Sequence, residues 1–464
     1  MGKLNTLFSA HDLTVGPPWK RFLELAVPML LGNLAQQLYN TADSIIVGHY
    51  VGDNALAAVG SAGPILNMLM CLFVGVATGV GILVSQSYGA RNRELLAQVI
   101  GNCVTLSAMI SVFTTFFGSL IIRPMLELLD TPASIIGWCQ EYLMIFMLGV
   151  VGFAFYNILS GILRGLGDSL SALLFLLVAA GLNVALDLLF VARLGLGVAG
   201  VALATVLAQS FSGLLCIWKL LRMKNVFHLR LRHLKPHLPV IRQIFRLGVP
   251  SGVTQAIFGL AMITVQALTN SFGELFIACN VIVMRIDGFA MMPNFTFGQS
   301  MTTFTGQNVG AKKFDRVHDG SRQCTAIAVG TSVTLTACIL LFGRTVAGFF
   351  SDTAILADLA QRMMRILALG YIAMSVTQSL CGVMRGAGDT MTPMWISLTT
   401  SVIIRVPLAY LVAHLTRSPD WPTGRPESIF ISLVIAWTLG ALISVHFYRH
   451  GKWRKKLNAQ EEES

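Results

Sequence analysis

Charge is what this chain lacks. Only 12% of its 464 residues are Asp, Glu, Lys or Arg, while 55% are hydrophobic; soluble domains carry about 25% charged residues. A deficit of that size excludes an ordinary soluble domain and indicates a polytopic membrane protein. Residues 54–90, 194–218 and 247–273 hold no charge at all. Other absences narrow the field. The eight cysteines stand singly, with no CxxC or Cys/His spacing, which excludes a zinc site and reads as small core residues. There is no GxxxxGK[ST], so ATP does not drive the chain directly. No metal-hydrolase or nucleophile motif is present, so no enzyme and no cofactor is expected. Residues 1–20 are polar, with Trp19 and Lys20, and show no h-region before an A-x-A site, so no signal peptide is expected. The net charge of +11 sits between apolar runs rather than in a patch, so nucleic acid is not an expected partner.

What the chain does have is long apolar segments. A spanning helix needs about 20 residues. Twelve segments qualify, near 22–49, 55–86, 98–121, 135–160, 170–191, 196–217, 247–272, 276–306, 323–343, 363–384, 391–413 and 428–448. Pro28, Pro64, Pro250 and Pro293 fall inside spans and are expected to bend the first, second, seventh and eighth. With twelve spans, 24 of the 33 Lys and Arg fall at the two termini and the even-numbered loops. Only 7 fall on the other side, counting Arg362 and Arg365. That bias places both termini and the long 219–246 loop in the cytoplasm, in a multi-pass protein of the cytoplasmic membrane.

The two halves repeat. GILRGLGDS (161–169) matches GVMRGAGDT (382–390), and LAVPMLL (25–31) matches LGVPSGV (247–253), at steps of 221 and 222. Gln86, Gly89 and Arg91 of SQSYGAR likewise meet Gln307, Gly310 and Lys312 of TGQNVGAK. Six spans per half make these parallel repeats, with function expected in a central cleft between the halves. The expected organisation is a first lobe over 1–222, a basic cytoplasmic linker over 223–240 and a second lobe over 241–464. The arginine and aspartate pairs Arg164/Asp168 and Arg385/Asp389 recur at the repeat and are expected to anchor the turns there.

Two acids stand out because each is the only charge deep in an apolar segment: Asp43 in the first span and Asp187 in the fifth. Buried carboxylates at bilayer depth cost about 2.5–3.5 kcal/mol on insertion scales, and are retained where they meet a cation, a proton path or a cavity. Tyr39 lies four residues before Asp43, and Asn183 four before Asp187, so each pair shares a helix face. Thr205 lies in the sixth span, whose small residues permit close helix approach. Two carboxylates, a carboxamide, a hydroxyl and a phenol form an oxygen-rich set suited to a hard monovalent cation or a shared proton. The repeat does not copy it: Asp43 falls over Val265 and Asp187 over Leu408. The second half has Arg285, Asp287 and Arg405 instead. Arg285 and Asp287, with Gln37 and Met291, are candidates for substrate contact or gating. The alternative for the charged ones is structural, with Arg285 on a carbonyl and Asp287 on Arg405. Met284, Met292 and Met301 lie on the same helix as Met291, and a polarizable surface of that kind suits varied amphipathic ligands.

LYNTADSIIVGHYVG, SQSYGARN, GILRGLGD with LNVALD, LGVAGVALATVLAQ, TGQNVGAKK and GVMRGAGD together resemble the multidrug and toxic compound extrusion (MATE) transporters over residues 12–450. The resemblance implies an all-α fold of two pseudo-symmetric six-helix lobes around a cleft. It implies export of cationic or amphipathic organic compounds in exchange for Na+ or H+, by a protein for which a monomer suffices in the bilayer. It resembles the prokaryotic branch with a cation site in the first lobe, and that site carries over onto Tyr39, Asp43, Asn183, Asp187 and Thr205, which match in type. A branch with acids on the seventh and tenth helices is not matched: Gln255 and Gln266 occupy the seventh, and the tenth has no carboxylate past its start. Two other functions fit the architecture, a flippase for a lipid-linked saccharide and a non-transporting receptor or scaffold. The first favours a strongly cationic cavity, and the second predicts binding without gradient-driven movement.

Overall fold

The computed structural model describes residues 10–129, 131–350, 353–419, 421–451 and 453–454. Lys3, Lys452, Lys455, Lys456 and the acidic tail 461–463 lie outside these. Twelve helical segments follow one another. They are α1 (Pro18–Tyr50), α2 (Asp53–Gly89), α3 (Arg93–Leu128), α4 (Ile136–Leu148 and Val150–Gly165), α5 (Ser169–Arg193), α6 (Gly197–Arg222), α7 (Leu238–Asn270), α8 (Glu274–Gly310), α9 (Phe314–Gly348), α10 (Ala354–Gly386), α11 (Met391–Leu415) and α12 (Ser428–His450). Ten are long and apolar enough to cross a membrane, and the two pieces of α4 make an eleventh. The remaining expected span, α1, has the length at 33 residues, but Asn33, Gln36, Gln37, Asn40 and Asp43 interrupt its apolar run.

Contacts divide the chain into two units. Unit 1 holds Glu24–Gly252 and the segment ending at Asp12; unit 2 holds Leu13–Leu23 and Val253–Ser464. Each leading helix is thus shared: α1 starts in unit 2 and α7 starts in unit 1. Unit 1 packs around Phe73, Ile82, Ile100 and Leu159, and unit 2 around Met363, Leu367, Tyr371 and Phe430. Within unit 1, the start of α7 lies backbone to backbone on α2. A Cβ on Gly75 would stand 2.8 Å from the Gly248 carbonyl, so no larger residue fits that crossing. Within unit 2, Phe22 at the start of α1 packs on Phe297 of α8, ring centroids 5.6 Å apart.

The repeat is visible in the backbone. α2 and α8 start and end 221 residues apart. Left-handed residues recur at the same step: Gly52 and Gly273, Arg91 and Lys312, Gly167 and Gly388. Arg91 and Lys312 close α2 and α8, where a left-handed residue lets the last carbonyls find donors. The aspartates after the repeated glycines start the next helix. Asp168 accepts from Ser171 N at 3.0 Å, and Asp389 from Thr392 N at 3.1 Å. The turns are therefore anchored by the aspartates. Their arginines do not bond to them: Asp168 meets Lys219 at 3.5 Å, and Arg385 donates to Gln378 at 3.2 Å.

Among the described residues one spanning helix is broken, and the break lies at a glycine. α1, α2, α7 and α8 run through Pro28, Pro64, Pro250 and Pro293 without a break. The 55° break is in α4, at Gly149, which has no proline nearby. Gly149 and Gly152 there lie hard against Val206 and Ser210 of α6, where a Cβ would collide with either partner. Close packing on α6 forces the path of α4.

The segment 223–240 is fastened to α3. The Asn102 side chain accepts from His237 N at 2.7 Å and donates to His233 O at 3.3 Å, and Thr105 donates to Leu234 O at 2.6 Å. Glu94 pairs with Arg232 at 2.7 Å and meets the buried His233 at 3.1 Å.

Candidate functional site

The polar cluster of unit 1 is assembled by helix register. Ser169 donates to Leu25 O at 3.0 Å, which sets α5 beside α1 in parallel at a step of 144 residues. At that step Tyr39 stands level with Asn183, and Asp43 with Asp187. α6 runs antiparallel to α5. Ser212 donates to Phe175 O at 2.7 Å, and further along the same seam Asn183 Nδ2 donates to Thr205 Oγ1 at 3.5 Å. Five sequence-predicted residues from three helices thereby converge. Asn183 and Asp187 are fully buried, Tyr39 and Thr205 nearly so, and Asp43 is half-buried.

The carboxyl groups of Asp43 and Asp187 lie within direct reach of each other, and Tyr39 lies within reach of Asp43 and Thr205. Thr205 turns its proton to Val201 O at 3.0 Å, which leaves its oxygen facing the cluster as an acceptor. Among the described residues, Asp43 Oδ1, both Asp187 oxygens, Asn183 Oδ1 and Tyr39 Oη are buried with no hydrogen bond of good geometry. Buried acceptors are normally satisfied, and each orphan costs about 1–3 kcal/mol, more when charged. Two carboxylates 4 Å apart would repel by about 4 kcal/mol at an effective dielectric of 20. The arrangement brings together more acceptor oxygens than donors, an excess that a proton, a cation or an ordered water can relieve. Immediately after Asp187, α5 opens into a π turn, Leu188–Arg193, a distortion that often marks functional sites.

Two members were missed by sequence reasoning. Tyr142 of α4 is buried within electrostatic reach of both Asp43 and Asp187. Gln209, one turn beyond Thr205 on α6, has a buried Oε1 with no partner. Gln37 is exposed on α1, away from the face that carries Tyr39 and Asp43.

Unit 2 contains a different cluster. Asp287 of α8 lies beside Tyr371 of α10 and within electrostatic reach of Arg405 of α11. Asp287 Oδ1, Tyr371 Oη and Arg405 Nε are buried without partners. The expected pairing of Asp287 with Arg405 is thus one of proximity, with no ion pair between them among the described residues. Arg285 is exposed, on another face of α8. Met291 is buried in the core one turn past Asp287, where its sulfur accepts from Asn294 at 3.9 Å. Gln255 is exposed, Gln266 donates to Asn270 at 2.9 Å, and the only acid of α10, Asp358, pairs with Arg344 at 2.7 Å. Among the described residues no group of three or more His, Cys, Asp or Glu is placed to hold a metal ion.

The MatE family model matches residues 28–189 and again 250–411, two stretches set apart by the step of the internal repeat. The chain belongs to the MatE family. It is accordingly a membrane transporter of the multidrug-efflux type and not an enzyme. Among its relatives is the "Probable multidrug resistance protein YoeA" of Bacillus subtilis, 27% identical over 94% of this chain and 95% of that one. A NorM protein of Thermotoga maritima, named as a probable multidrug resistance protein, is 24% identical over 94% and 93%. Among solved structures, a MATE transporter crystallised with MaL6 superposes with a TM-score of 0.88 at 25% identity, covering 97% of this chain and 99% of the other. A MOP-superfamily transporter from Pyrococcus furiosus, described as having a binding pocket of reverse polarity, gives 0.87 at 25%, covering 97% and 98%. The all-α, two-lobe MATE architecture is therefore this chain's fold.

Proposed function

We propose that this MATE transporter is a secondary antiporter that exports cationic or amphipathic organic compounds across the cytoplasmic membrane in exchange for a cation bound in unit 1. Tyr39, Asp43, Asn183, Asp187 and Thr205 are the coupling residues, with Tyr142 beside them. The observation that supports this reading is the set of buried, unpartnered oxygens on Asp43, Asp187, Asn183 and Tyr39. A proton shared between the two carboxylates relieves one oxygen pair and leaves the carboxamide and phenol oxygens as they are. A hard monovalent cation takes several oxygen ligands at once, so Na+ is the first reading and H+ the second. A monomer is sufficient, and both termini are cytoplasmic, in keeping with the Lys and Arg bias. Binding or release of the cation changes the packing of α1 against α5 and couples ion entry to substrate release.

The test is efflux of a fluorescent organic cation from proteoliposomes under a sodium gradient alone and a pH gradient alone. Efflux driven by the sodium gradient and lost in Asp43→Asn is expected. Efflux driven only by the pH gradient names the proton instead. Wild-type gradient-driven rates in Asp43→Asn remove the coupling role.

A further inference from the structure

The α6–α7 connection carries a basic surface outside the two polar clusters. Between Asp187 and Glu274 the sequence contains no acidic residue, so any counter-charge for the basic side chains of this stretch must come from elsewhere in the chain. Glu94 of α3 engages Arg232 and His233. Lys224, Lys235 and Arg242 are exposed and form no ion pair among the described residues. Beside them, Leu231 is 85% and Leu238 is 78% exposed. Two leucines held in water at the base of a membrane helix forfeit roughly 1.5–3 kcal/mol of burial each.

The segment's depth and rigidity are also set. α6 ends in Trp218, half exposed, with the Arg222 guanidinium 4.1 Å above its ring. A tryptophan capped by arginine is the arrangement found at headgroup level. The chain cannot swing away from that level. Besides the hydrogen bonds to Asn102 and Thr105, Met223 and Phe227 are buried in the unit 1 core. Gly101 lets the strap lie directly on α3, since a Cβ there would stand 2.6 Å from the His233 carbonyl carbon. The short turn Leu231–Leu234 is thus held with Leu231 outward, and Lys235 directly after it is exposed as well.

We infer that residues 222–242 form a preformed docking surface for anionic phospholipid headgroups in the leaflet they face. Lys224, Lys235 and Arg242 meet the phosphates, while Leu231 and Leu238 seat in the acyl boundary. The charge complementarity selects acidic over zwitterionic lipid, the leucines select lipid over soluble phosphate, and the strap needs no ordering on binding.

The experiment measures lipid affinity of the purified full-length protein in detergent, by native mass spectrometry with phosphatidylglycerol or phosphatidylcholine. Lys224→Gln/Lys235→Gln/Arg242→Gln is expected to weaken phosphatidylglycerol binding on the order of a hundredfold, with phosphatidylcholine binding unchanged. Leu231→Ser/Leu238→Ser is expected to weaken it roughly tenfold while keeping the preference for acidic lipid. Arg193→Gln/Arg417→Gln/Arg425→Gln, an equal charge loss at other exposed arginines, is the control and keeps full affinity. Undiminished phosphatidylglycerol binding in the strap variant overturns the proposal. So does an equal loss in the control, which would make net charge the cause, or displacement of the lipid by inorganic phosphate, which would make the site a free-anion site. All substituted side chains are exposed, and the thermal transition of each variant verifies the fold.

Discussion

The two units share a scaffold and differ in how each treats a buried carboxylate. In unit 1, Asp43 and Asp187 face each other among further oxygens. In unit 2, Asp287 faces a phenol and a guanidinium. The α5 and α11 helices, which are repeat mates, both contain a π turn. In α5 it follows Asp187 (Leu188–Arg193), and in α11 it precedes Arg405 (Thr399–Ile404). The two distortions thus flank a buried acid in one unit and an arginine in the other, at positions about ten residues apart in the repeat. Backbone devices such as Gly167/Gly388 and Arg91/Lys312 stayed fixed through the repeat, while the buried charges diverged. In the proposed reading, the unit 1 acids take a cation from outside, whereas in unit 2 a guanidinium already lies near the acid.

That contrast can be broken by substitution. The largest effect is expected from Asp187→Asn, which should lower ion-driven efflux at least a hundredfold. Asp287→Asn should leave ion dependence intact even where it slows transport. Equal loss of ion dependence in both, measured as flux against the sodium gradient, would erase the distinction. Next, Arg405→Ala removes the positive charge near Asp287 and should lower stability. The double variant Asp287→Ala/Arg405→Ala should recover most of that loss, as read from thermal unfolding in detergent. Thr205→Val removes an oxygen of the unit 1 set without removing charge, and a loss near 1 kcal/mol makes cation affinity about fivefold weaker; an ion titration of the flux measures it. The smallest effect is expected at Arg285. Being exposed and outside the cluster, Arg285→Gln should change efflux by less than about twofold.

Much of this was legible before any coordinates. A charge in an apolar run is conspicuous, and a four-residue spacing tells which neighbours share its face, so Tyr39 with Asp43 and Asn183 with Asp187 could be grouped. The repeat was written in GILRGLGD and GVMRGAGD. What escaped depended on contacts between distant segments. Tyr142 lies near the acids through the packing of α4, and nothing in QEYLMIF announces that proximity. Tyr371 looks like one more aromatic in an apolar helix until Asp287 is placed beside it. Arg285 and Asp287, two residues apart, must point in different directions on α8, but which of them faces inward is set by packing with distant helices. The helices continue through Pro28, Pro64, Pro250 and Pro293, whereas the one broken span is interrupted at Gly149, which no sequence signal marked. The strap read as a loose basic linker because its partners, Glu94, Asn102 and Thr105, lie more than a hundred residues earlier.

The sharing of α1 and α7 between units bears on how such a protein could have arisen. The start of α7 fills the glycine groove of α2 in unit 1, and the start of α1 packs on α8 in unit 2. A half-molecule ending at residue 222 would lack the segment that fills its own groove. Two identical halves could complete one another by trading those leading segments, in the manner of a swapped dimer. Gene fusion would then have joined two chains that were already interdependent, and split versions of this protein should assemble only when both fragments are made together.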